Sequence, residues 1–249
     1  MLIRRNTNCG SSAQCGLSLV EMLVGIALGM FIVAGASTLF VNHLTSTRRL
    51  LLEARINQDL RAAADLITRD IRRAGYWGDS LTGTVATGAT STTAPNPYVA
   101  VSTPTASSIA YSYSRDGPAD NNILDNNEMF GFNLSGGAIR MQVASGVPQQ
   151  QITDPDTVTI DTFTVVPTVT PVDIRTACAK TCCDTAGVAA ALCTNPQINV
   201  TAPATCPTVT VRNYDVTLVG HATSDAAVTR TLQTSVRVRN DLFGGTCPP

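Results

Sequence analysis

The sequence predicts an α+β protein: a long N-terminal helix, apolar in its first half and amphipathic in its second, packed on an antiparallel β-sheet domain. Three observations lead there. Met22 to Val41 carries no charge and is long enough to cross about 30 Å of hydrocarbon. Leu52, Ile56, Leu60, Ala63, Ile67, Ile71 and Ala74 then recur at steps of four and three, one apolar stripe at helical period. Beyond Ser107, β-branched and alternating segments are separated by Gly-, Asn- and Asp-containing turns.

The first element opens at Gly16, Leu17, Ser18, Leu19, Val20 and Glu21, and Glu21 is its costly residue. A carboxylate in hydrocarbon costs about 2.5 kcal/mol or more, so a partner charge is expected. Ser18 and Glu21 have the S-x-x-E spacing of a capping box, and the helix dipole favours an acid in the first turn. Gly25 and Gly29 form a GxxxG pair, suited to close helix packing but also common in any membrane helix. A secretory signal peptide would have a shorter apolar core and would place the small residue after it. An ordinary single-span anchor fits length and charge but explains neither Glu21 nor Gly16.

Gly16 to Glu21 resembles the processing site of type IV prepilins and type II secretion pseudopilins. The resemblance implies a peptidase cut between Gly16 and Leu17, N-methylation of the new terminus, and pairing of Glu21 with a neighbouring subunit's terminal amine. Phenylalanine is the usual first residue; Leu17 departs from it conservatively. The implied organisation is a leader over 1–16, a membrane half of the helix over 17–41, an amphipathic half over 42–75 and a β-rich domain over 76–249. Removal of Met1–Gly16 leaves 233 residues and takes the net charge from −1 to −3 with the loss of Arg4 and Arg5.

The stripe continues the helix to about Ala74, so that it runs from about Leu17 over about 87 Å. Arg55/Asp59, Arg61/Asp65 and Asp65/Arg69 fall at i,i+4 on its other faces. Gly75 is placed to end it, with Arg72 and Arg73 in the last turn.

Leu81 to Ser107 is rich in Thr, Ser, Ala, Gly and Pro, which predicts an exposed connection. Strands are expected at Ile109–Ser114, Glu128–Leu134, Ala138–Ala144, Thr157–Val166, Thr208–Val219 and Val228–Asn240, the last two joined by a turn at His221–Asp225. Val236 and Val238 alternate with Arg237 and Arg239, so one face is buried and the other wet.

Basic Arg4 and Arg5 put the start of the chain on the cytoplasmic side and the domain in the periplasm, as a single-pass inner-membrane protein. That compartment is oxidising. Cys9 and Cys15 fall in the leader, while Cys178, Cys182, Cys183, Cys193, Cys206 and Cys247 remain as an even set for disulfides, with 15 possible pairings. They tie an insertion over about 176–207. A zinc site is the alternative, but the C-x-x-C spacing and a nearby histidine are both missing.

Other functional classes fare poorly. The chain has no basic excess for nucleic acid, and neither His43, at the end of the apolar run, nor His221, in the turn, belongs to a catalytic motif. No enzyme activity and no cofactor are expected. Asp116, Asp120, Asp125 and Glu128 offer oxygens for a hard cation, against a solvated Asn/Asp-rich loop as the alternative; their spacing is not that of an EF-hand.

Arg69–Gly78, Phe130–Gly137 and Ser235–Asn240 resemble the PilW-type minor pilins of type IV pili. The resemblance implies a subunit that works with other minor and major pilins, the prepilin peptidase/methyltransferase and the inner-membrane assembly platform, with presentation of a tip adhesin as a further role. The alternatives are a minor pseudopilin of type II secretion and a membrane-tethered periplasmic binding protein.

Overall fold

The computed structural model describes residues 18–80, 96–116, 120–174 and 208–244. Gly16, Leu17 and the six cysteines expected to pair lie outside them. The chain divides into two compact units at Leu50/Leu51.

The first unit consists of helix. Helix α1 spans Leu19–Ile71, and its opening bond runs from the Met22 N–H to the Ser18 carbonyl at 3.1 Å. Ser18 therefore stands at the N-cap and Glu21 three residues in, as the S-x-x-E spacing requires. Every residue from Leu19 to Leu50 is exposed in the single chain. Three hydroxyls here are satisfied within the helix: Ser37 donates to the Val33 carbonyl at 2.7 Å, Thr38 to the Gly35 carbonyl at 2.8 Å and Thr45 to the Asn42 carbonyl at 2.9 Å. A helix in an apolar medium needs that self-sufficiency.

The second unit begins with the amphipathic turns of α1. Ile56, Leu60, Ala63, Ile67, Ile71 and Ala74 are buried and Leu52 partly so. This is the stripe expected from periodicity. Ala64 and Asp70 widen it. The regular helix stops at Ile71, three residues earlier than expected, and a turn leads to Gly75 at φ +73°.

Two antiparallel sheets complete the core, where the sequence suggested one. The first has the order β1 (Val101–Ser102), β2 (Ser108–Ser112), β3 (Met129–Ser135), β4 (Ala138–Gln142) and β5 (Gln150–Gln151). Its tightest turn, between β3 and β4, carries Gly136 and Gly137, both at positive φ, the backbone that a two-residue hairpin of this twist demands. The second has the order β6 (Val158–Asp173), β7 (Thr208–Ala222) and β8 (Asp225–Arg237), with β9 (Leu242–Gly244) paired to the start of β7. Strands β6 and β7 pair over their full lengths, with one irregularity at Ile160/Thr162. Tyr111, Phe130 and Phe132 from the first sheet join Phe163, Tyr214, Val216 and Leu218 from the second and the helical stripe in one apolar core.

Three local expectations need correction. The connection after Leu81 is not exposed throughout, because Tyr98 is fully buried and hydrogen-bonded to Asp120. His221 is not in a turn: it is in β7, its Nδ1 2.8 Å from an Asp161 oxygen on β6. Strand β8 ends at Arg237, while Val236 and Val238 are buried as their alternation predicts.

Candidate assembly site

The apolar half of α1 is a surface rather than a core. Phe31 is 80 % exposed and Leu19 75 %, and Leu23, Ile26, Met30, Leu39 and Phe40 are exposed with them. The helix is long and apolar enough to cross a membrane. Glu21 is the acid of its first turn. Nothing lies within 4 Å of a Cβ built on Gly25, Gly29 or Gly35. Within this chain no described residue uses the gaps that the glycines leave, so they stay available to a second helix.

At its other end the helix is closed by the chain's last segments. The carbonyls of a final turn need donors. Here the Arg239 N–H donates to the Arg72 carbonyl at 3.1 Å, and the Asn240 amide donates to the carbonyls of Arg73 and Ala74 at 3.3 and 3.1 Å. Arg212, in β7, is buried beneath this junction and donates to the Asn240 carbonyl at 2.9 Å and to the Val99 carbonyl. Burial lowers its guanidinium pKa from the ordinary value. A Cβ on Gly75 would stand 2.9 Å from that guanidinium.

Asp70 is the one acid of α1 that is buried. Its carboxylate accepts hydrogen bonds from the hydroxyls of Tyr111 and Tyr113, the latter at 3.4 Å, and lies 3.6 Å from Arg73. Tyr113 stacks on Phe130 at 3.9 Å between centroids, and Arg73 covers its ring at 4.2 Å. Sequence reasoning missed both Asp70 and Arg212. Arg212 had a signal: it is in phase with Tyr214, Val216 and Leu218, the inward set of β7.

The candidate cation ligands serve the loop itself. Glu128, fully buried, accepts the backbone N–H of Arg115 with one oxygen and that of Asp125 with the other, both at 3.0 Å. Asp120 accepts the Tyr98 hydroxyl at 2.9 Å and the Asn122 N–H at 2.7 Å. Asp116 is exposed. Among the described residues no three acidic, histidine or cysteine side chains converge as a ligand set. Asn122 in turn accepts the Trp77 indole N–H at 2.6 Å, tying this loop to the segment after the helix.

The three segments that carry the second resemblance thus meet in space: 69–78 ends the helix, 235–240 closes it, and 130–137 stacks against Tyr113 beside Arg73. An exposed apolar helix leading into an amphipathic half packed on antiparallel sheets defines a pilin-like subunit. Residues 49–238 match the family described as prepilin peptidase-dependent protein B, and residues 11–37 match the prokaryotic N-terminal methylation motif. The chain belongs to the prepilin peptidase-dependent protein B family. No curated protein and no solved structure matches it. Pilin-like families are structural, non-enzymatic subunits, processed by prepilin peptidase and assembled with other pilins.

Proposed function

We propose that this protein is a minor pilin of a type IV pilus, of the PilW type, acting in a priming complex with other minor pilins. The observation that carries the reading is the apolar helix surface, exposed from Leu19 through Val41 with a single carboxylate, Glu21, in its first turn. Such a surface must be covered. Lipid covers it before assembly, and the helices of neighbouring subunits cover it afterwards. In the fibre a neighbour's terminal amine meets Glu21, and the gaps at Gly25 and Gly29 let a second helix approach.

Processing between Gly16 and Leu17 precedes assembly in this reading, and the methylation motif spans both residues. The domain then faces the periplasm, where Cys178, Cys182, Cys183, Cys193, Cys206 and Cys247 pair as disulfides. Intact-mass measurement on protein isolated from its host tests the proposal. A mature chain beginning at N-methylated Leu17 is expected. An uncut amino terminus in protein recovered with the pili would overturn it.

A further inference from the structure

The junction at the end of α1 holds a basic cleft that neither the membrane helix nor the core requires. Arg72, Arg73, Arg115 and Arg239, with Tyr76 and Ser114, line a cavity of about 440 Å³. No carboxylate lines it among the described residues. Two of the guanidinium groups are held in place: Arg73 lies on the Tyr113 ring beside Asp70, and Arg115 lies 5.6 Å from the Phe130 centroid and donates to the Asn127 carbonyl at 3.2 Å. The other two, Arg72 and Arg239, have exposed side chains with no hydrogen bond or ion pair to a described residue. Their backbones are joined by the 3.1 Å bond from the Arg239 N–H to the Arg72 carbonyl, and both residues line the cavity.

The helix dipole accounts for cations at Arg72 and Arg73. It does not account for Arg115 and Arg239, which come from the loop after β2 and the segment after β8. Arg73 is offset by Asp70, but Arg72, Arg115 and Arg239 add like charges around the same cavity that repel one another, and a bound anion relieves that repulsion. Guanidinium forks match a carboxylate in two-point geometry.

We propose that this cleft receives the carboxylate side chains of an acidic segment on a neighbouring pilin subunit. The inference rests on the reading of the chain as an assembling pilin. A cavity of this size admits one or two side chains and no nucleic-acid duplex. A net charge of −1 leaves no basic track along which a phosphate backbone would run.

Full-length protein in detergent supplies the first test, with a fluorescent hexaglutamate peptide as the probe. The double variant R72E/R239E changes two exposed side chains, so the fold should survive, with thermal melting lowered by no more than a few degrees through the reversed charge at the helix C-terminus. Its peptide binding should fall about tenfold or more, as expected for loss of charge-assisted hydrogen bonds. The conservative R72K/R239K should bind between the two. A photocrosslinker at Tyr76, 45 % exposed on the cleft wall, supplies the second test in cells. Crosslinks to an acidic segment of another pilin, lost in R72E/R239E, support the proposal. Equal hexaglutamate binding by wild type and R72E/R239E would overturn it, as would crosslinks to lipid or nucleic acid alone. The Glu21→Ala variant separates this inference from the assembly reading: it should bind hexaglutamate like the wild type while failing to enter pili.

Discussion

Tyr111, on β2, donates its hydroxyl to the carboxylate of Asp70, on α1, with both side chains buried. Burial, reinforced by the Asp70 charge, pushes the Tyr111 phenol well above its ordinary range, and burial raises Tyr113 to about 12. Both phenols therefore remain donors at any pH the domain meets. Asp70→Ala would leave two buried hydroxyls and Arg73 without their acceptor, and is expected to destabilise by about 3 kcal/mol. Tyr111→Phe should cost about 1–3 kcal/mol, because the carboxylate keeps Tyr113. Urea unfolding of the single and double variants checks this, and the double variant should cost less than the two single variants added together.

Gly75 is the second position where one atom decides the outcome. Its φ of +73° disfavours any side chain, and its missing Cβ leaves room for the Arg212 guanidinium. Gly75→Ala combines the left-handed backbone cost with a 2.9 Å clash, and about 2 kcal/mol or more of destabilisation is expected. Asn240→Ala removes two capping bonds from the same junction and should cost about 1 kcal/mol. Thermal melting of the three proteins should rank the wild type first and Gly75→Ala last.

Acid sensitivity has a defined source at Asp120. Burial pushes its carboxyl pKa up, but the hydrogen bonds it accepts, those of the Asn122 N–H and the Tyr98 hydroxyl among them, outweigh burial and hold it below the ordinary value. A depressed folded pKa stabilises above the unfolded value, about 3.9, and that stability is lost as pH falls through the folded value. Asp120→Asn should therefore be less stable than the wild type at neutral pH and should lose less stability on acidification. Urea midpoints at pH 7 and pH 3 test this. Equal losses in the two proteins would remove Asp120 from the account.

Much of this architecture was legible because it is periodic. The stripe from Leu52 to Ala74 and the alternation at Val236 and Val238 each name a buried face without reference to partners. Three features that depend on partners were not legible. Alternation shows that one face of a strand is buried but not which sheet the strand joins, so two sheets read as one. Tyr98 sits in a stretch whose composition suggests solvent, and only its bond to Asp120 explains its burial. Asp70 lies among Arg69, Arg72 and Arg73 and reads as part of a charged surface, because its tyrosine partners are some 40 positions away. At the candidate site, Gly16, Leu17 and Glu21 stood out through fixed offsets, whereas the arginine cleft is assembled from distant segments.

Glu21 carries the central claim. Replacing it by Ala makes insertion of α1 into lipid easier, because a charge leaves the apolar segment. On the proposed pairing it also leaves a neighbour's terminal amine without its partner in a helix bundle of low dielectric, and breaking a buried pair from one side costs about 3–5 kcal/mol. The direct measurement is the amount of this protein in sheared pili relative to the membrane pool, for wild type and Glu21→Ala. The account predicts a membrane pool at least equal to wild type and near-complete loss from the pili. A Glu21→Ala protein that reached the pili at the wild-type ratio would contradict it.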